Sequence, residues 1–148
     1  MRFVQHKTHP NCGAYLADYL TLLEVFSPKV YKAFCEVCED VEVARVALLN
    51  GNGPLVNVSA VCKVNGRYLG SRGGPRHTVY INKQLANFYE HDHVWKPWES
   101  TVLHEAVHWA RFIGGKPFHF QGKEAGKVFE ARAYGEDIQC QSCTYCEK

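Results

Sequence analysis

Residues 104–108 read His-Glu-Ala-Val-His, two histidines four apart with a glutamate after the first. On a helix, positions i and i+4 lie about 40° apart around the axis and about 6 Å apart along it. The imidazoles of His104 and His108 can therefore reach one metal ion. Glu105 sits about 100° around from His104. From there its carboxylate can address a water on the metal without being a ligand, which is the spacing of a metal site with a general base beside it. A catalytic zinc site takes three protein ligands and keeps one position open. The third ligand expected here is Glu130, on the next helical segment; Glu124 is its main rival and Asp137 a weaker one. Tyr134 follows Glu130 by one helical turn, and its phenol could donate to an oxyanion near the metal. His77, His91 and His93 read as ordinary loop histidines. His119, between the two segments, could line the cleft.

These residues need elements to hold them. The site helix is expected from a Ser100 cap to about Phe112, stopped by Gly114-Gly115-Lys116-Pro117. A last helix is expected from about Glu124 to Ile138, packed against it. Upstream, Leu16, Tyr19, Leu20, Leu23 and Phe26 recur at helical spacing over 13–26. Ser27-Pro28 then reads as an N-cap with proline at N1, opening a helix to about Cys38. Residues 41–49 are apolar and partly β-branched and read as a strand. After a turn at 50–54, a second strand is expected over 55–64, with Asn65-Gly66 turning a hairpin into 67–69. Thr78-Val79-Tyr80-Ile81 is a short strand, followed by a helix over about 83–89. Helices, a small mixed sheet, then two helices make an α+β pattern. Without repeats or linkers, residues 1–148 read as one domain.

The blocks Val102-Leu103-His104-Glu105-Ala106-Val107-His108-Trp109 and, from Glu124, Gly126-Lys127-Val128-Phe129-Glu130 with Tyr134-Gly135 resemble the small zincin-like metallopeptidase toxins of bacterial polymorphic and type VI secretion systems. The resemblance spans about residues 78–138. It implies a zincin-like fold in which Thr78–Asn82 is the edge strand that binds an extended substrate. It also implies a glutamate ligand from the downstream helix, carried over to Glu130, and hydrolysis of a peptide bond in a polypeptide substrate. The same resemblance implies a secreted or injected antibacterial toxin, acting in a target cell or its periplasm, with a cognate immunity protein and a secretion-system carrier. No histidine stands at position 114, so the metzincin ligand set is absent.

Composition sets the outer limits. The chain has 148 residues, 46% hydrophobic and 22% charged, with a formal net charge of +2. That is ordinary globular composition, with no long basic stripe for nucleic acid and no run long enough to span a bilayer. Residues 1–13 lack the apolar stretch of a secretory signal. A monomer is expected. Seven cysteines include Cys35-x-x-Cys38 and Cys140-x-x-Cys143-x-x-Cys146. These could form disulfides, slightly favoured here, or a second, structural zinc site. Two other readings stand beside the protease: a zinc amidase acting on cell-wall peptides, and a non-enzymatic module built around cysteine-bound zinc.

Overall fold

The computed structural model describes residues 1–61, 64–136 and 138. The first strand, β1 (Arg2–Phe3), precedes a helical run of α1 (Pro10–Ala14), a π-helical turn (Tyr15–Tyr19), a 3-10 turn (Leu20–Leu22) and α2 (Leu23–Phe26). Leu16, Leu20 and Leu23 face the core as their spacing predicts, whereas Phe26 is exposed and stacks on Tyr19. The next helix, α3 (Pro28–Cys38), begins with proline in its first turn, where the missing N–H costs nothing.

Residues 41–49 are a correction. They form α4 (Val41–Leu48), not a strand. The Asp40 carboxylate accepts from the backbone N–H of Val43 at 3.1 Å and caps the helix. Ala44, Ala47 and Leu48 then form its buried stripe, while Val41 and Val46 are exposed. The β-branched residues that suggested a strand lie mainly outside that stripe.

The sheet contains β1, β2 (Leu55–Ser59), β3 (Gly66–Tyr68) and β4 (Thr78–Asn82) in the order β1-β2-β4-β3. β1 runs parallel to β2, β2 parallel to β4, and β3 antiparallel to β4. Two expectations change. Asn65-Gly66 does not fold β3 back onto β2; the Asn65 carbonyl instead accepts from the N–H of Asn82, and β3 pairs with β4. Thr78–Asn82 is also an interior strand, flanked on both sides, with Val79 and Ile81 fully buried. The edge strand next to it is β3.

Two longer helices follow, α5 (Lys83–Asp92) and α6 (Trp95–Ile113). α6 starts before the expected Ser100 cap; Ser100 is buried inside it and donates to the carbonyl of Pro97. Every residue from Trp98 to Arg111 is buried. A helix buried all round is the centre of a fold rather than a surface element, and α6 touches α3, α4, α5, β3 and β4. A two-stranded hairpin, β5 (His119–Phe120) and β6 (Lys123–Glu124), leads into α7 (Ala125–Tyr134), which packs on α3 and α6. Gly135, at φ 79°, ends α7 in the left-handed conformation that glycine adopts without strain. The whole is a small α+β fold with a mixed sheet.

Cys12, Cys35 and Cys38 are free thiols, so the disulfide expected at Cys35 or Cys38 is absent among the described residues. Cys62, Cys140, Cys143, Cys146 and Asp137 lie outside them.

Candidate metal centre

His104, Glu105 and His108 sit in the middle of α6, and all three are buried. The Nε2 atoms of the two imidazoles come within 3.3 Å of each other. Glu124 approaches from the start of α7. Its Oε1 lies 3.4 Å from His104 Nε2 and closer still to His108 Nε2. One ligand atom from each of His104, His108 and Glu124 falls within 4.8 Å of the others. Two imidazole nitrogens and a carboxylate oxygen converging at that separation could hold one metal ion.

Glu124 is placed by its role at the helix end. As the N-cap of α7 it accepts from the N–H groups of Gly126 and Lys127, at 2.8 and 3.1 Å. A carboxylate held this way is pre-aimed, and the positive end of the helix dipole favours its charge. Gly126 supplies the room. A Cβ at this position would lie 2.3 Å from Nε2 and from Cδ2 of His104.

Glu130 occupies a different place from the one expected of a ligand. It is fully buried, and its Oε1 lies 2.8 Å from Nδ1 of His104, the ring nitrogen away from the convergence point. A carboxylate only accepts, so Nδ1 donates to it, and Nε2 is the nitrogen left for a metal to take. The other oxygen, Oε2, accepts from the N–H of Ile138 at 2.7 Å. Glu130 thus fixes the tautomer and the angle of His104.

His108 is held by other means. Its Nδ1 is buried without a hydrogen-bond partner among the described residues. The ring of Phe118 lies parallel to it, 4.5 Å between centroids and 4° between planes. Nothing in the spacing of the motif points to Phe118, which comes from the connection before β5.

The electrostatics favour positive charge. Burial works against protonating His104, yet its bonds to Glu124 and Glu130 hold its proton well above the usual imidazole range. Burial likewise opposes ionising Glu124, but the two histidines pull it far below the usual carboxylate range. Burial pushes Glu105 up. Its neighbour across the cleft is Gly66 of β3, where a Cβ would lie 2.9 Å from Glu105 Cγ and 2.8 Å from Thr101 Cγ2. The edge strand can lie on the site helix only because position 66 has no side chain.

Tyr134 makes no hydrogen bond to the converging groups. Its hydroxyl is buried without a partner among the described residues, and its ring packs edge-on against Phe129. Burial drives its hydroxyl strongly upward, with Glu99 and Glu130 adding to the effect.

Two buried histidines and a half-buried carboxylate that could hold a metal ion, with a further glutamate beside them on α6, fit the class of metal-dependent hydrolases. The metallopeptidase toxin 3 family matches residues 5–135, so the chain belongs to this family of metallopeptidase toxins. No curated protein and no solved structure matches it. Membership implies a metal ion and a polypeptide substrate. Among the described residues no helix is long and apolar enough to cross a membrane.

Proposed function

We propose that the chain is a zinc-dependent peptide-bond hydrolase, delivered as an antibacterial toxin into a target cell, with His104, His108 and Glu124 as the metal ligands. The observation that carries the ligand set is the convergence of the two Nε2 atoms and the Glu124 carboxylate at one buried point. Nitrogen and carboxylate donors of this kind suit zinc. Glu130 orients His104 rather than ligating. Zinc at this point would polarise the scissile carbonyl and bring the pKa of a bound water toward about 7.

The remaining steps belong to the chain. Glu105 takes the proton of the attacking water at its carboxylate and passes it to the leaving amine nitrogen. Its burial raises its proton affinity, which strengthens it as the base for the water proton. β3 is an edge strand of the sheet and lies beside Glu105 through Gly66, where its outer edge would offer backbone groups to an extended substrate. Family membership supports the toxin role; delivery and the antibacterial target are part of the proposal.

The test is a digest of unfolded protein by wild type and Glu105→Gln, each loaded with zinc. Wild type should cleave and the variant should not, at equal metal content. Comparable cleavage by both would remove Glu105 from the mechanism, and no cleavage by wild type would remove the protease reading.

A further inference from the structure

We infer that the site selects acidic sequence: the polypeptide it takes carries an Asp or Glu side chain that seats in the pocket beside His108. This deepens the hydrolase reading above and rests on it for the word substrate, although the binding preference itself does not.

The pocket lies against the candidate metal centre because His108 is one of its walls. Tyr68, Phe112 and Phe118 supply its apolar sides, and Lys116 and Arg111 are the charged side chains that line it. Arg76 lies against one of these walls, with its guanidinium over the Phe112 ring, 5.5 Å from the centroid. The Arg76 carbonyl accepts from the Tyr68 hydroxyl at 2.8 Å, which ties its backbone to the pocket wall. Arg72 follows Ser71, another lining residue.

No carboxylate lines the pocket, and the reason is visible in the chain. The two segments that build it fall within two acid-free runs. Residues 43–89 contain no Asp or Glu but carry Arg45, Lys63, Arg67, Arg72, Arg76 and Lys83. Residues 106–123 contain none either, and carry Arg111, Lys116 and Lys123. The acids at the far side of Arg111 are already engaged. Glu39 pairs with the Arg111 guanidinium at 2.8 Å, and Asp40 caps α4.

Arg111 is therefore spent on structure, bonded also to the carbonyls of Val37, Pro117 and His119. Arg72, Arg76 and Lys116 are not. All three are exposed and make no ion pair with a described residue. Glu105, Glu124 and Glu130 lie inward, around the two histidines, so the exposed cations beside the pocket form a local positive excess that a net charge of only +2 hides. Cations of one sign around a cleft with apolar walls raise the local concentration of an oppositely charged ligand. The opposite sign on a peptide is a run of Asp or Glu.

The test is fluorescence anisotropy of the wild-type protein with short labelled peptides of equal length, Glu-rich, Gln-rich and Lys-rich. At about 0.05 M salt the Glu-rich peptide should bind about tenfold more tightly than the Gln-rich one. The preference should shrink at about 0.5 M salt as the charges are screened. Arg76→Gln/Lys116→Gln should reduce it, and Arg76→Glu/Lys116→Glu should abolish or reverse it. Equal binding of the three peptides, tighter binding of the Lys-rich one, or a preference untouched in both variants would overturn the inference. Acid preference without hydrolysis of any peptide would leave the inference standing and remove the hydrolase reading. Equal binding of the three peptides together with their hydrolysis would do the reverse.

Discussion

Gly126→Ala sets two effects against each other at a single methyl group. By helix propensity alone the change should stabilise the protein. Gly126 lies in the first turn of α7 and has no positive φ, and Ala is favoured over Gly in a helix by about 1 kcal/mol. The geometry opposes this. The new Cβ would lie 2.3 Å from two atoms of the His104 ring, roughly 1.2 Å inside ordinary contact. The ring cannot swing aside freely, because Glu130 holds Nδ1 at 2.8 Å and the side chain is buried. Either the imidazole leaves its place or α7 lifts away, carrying the Glu124 carboxylate with it. Both disturb the ligand set while leaving most of the core intact. We expect zinc affinity to fall by about 10–100-fold, the range for losing the support of a ligand. The metal-free protein should melt within a few degrees of wild type. The assay is zinc competition against a chromogenic chelator, with thermal melts taken with and without metal. A Gly126→Ala protein that binds zinc as tightly as wild type would refute the reasoning about how α7 builds the site.

Three further outcomes follow from the same geometry. Glu105→Gln should keep zinc and lose about 10²–10⁴-fold in turnover, the usual share of a general base, as read from peptide hydrolysis at matched metal content. Glu130→Gln should keep the fold but weaken zinc binding by about 10–100-fold, because a neutral amide accepts less strongly from His104 Nδ1; unchanged affinity would deny Glu130 its orienting role. Glu99 is buried in α6 and its carboxyl is pushed up to about 7 by burial. Its folded value therefore lies above its unfolded one, so stability is greatest at low pH within this window. The loss runs from about pH 4.5 through pH 7 and reaches about 3 kcal/mol. Glu99→Gln should flatten that slope in melts between pH 5 and 8, and a variant with the wild-type slope would show that another group sets it.

Much of the frame was legible because it is written in local rules. Pro28 and the apolar spacing behind it marked α3, and the four-residue interval of His104 and His108 put both imidazoles on one face of α6. The sequence misled where tertiary packing outvotes local preference. Val41, Val43 and Val46 suggested a strand, but the Asp40 cap and the small Ala44 and Ala47 make a helix that packs on α6. Asn65-Gly66 has the chemistry of a tight hairpin, yet Gly66 is needed for a different reason, the close approach of β3 to Thr101 and Glu105. The choice between Glu124 and Glu130 could not be settled by helical periodicity. Glu124 acts from a cap position outside the helix, where face arguments do not apply. The Ala125-Gly126 pair after it was the available signal, since a glycine early in a helix asks what it makes room for. Phe118 left no signal at all, because its place against His108 depends on how the connection after α6 folds.

The central claim is that one metal ion is held by His104, His108 and Glu124. Elemental mass spectrometry of the purified wild type, His104→Ala, Glu124→Ala and Glu130→Ala tests it most directly. The account predicts one zinc per chain in wild type, none in His104→Ala or Glu124→Ala, and zinc retained with weaker affinity in Glu130→Ala. Full zinc in Glu124→Ala together with its loss in Glu130→Ala would contradict the ligand set, and full zinc in His104→Ala would place the metal elsewhere in the chain.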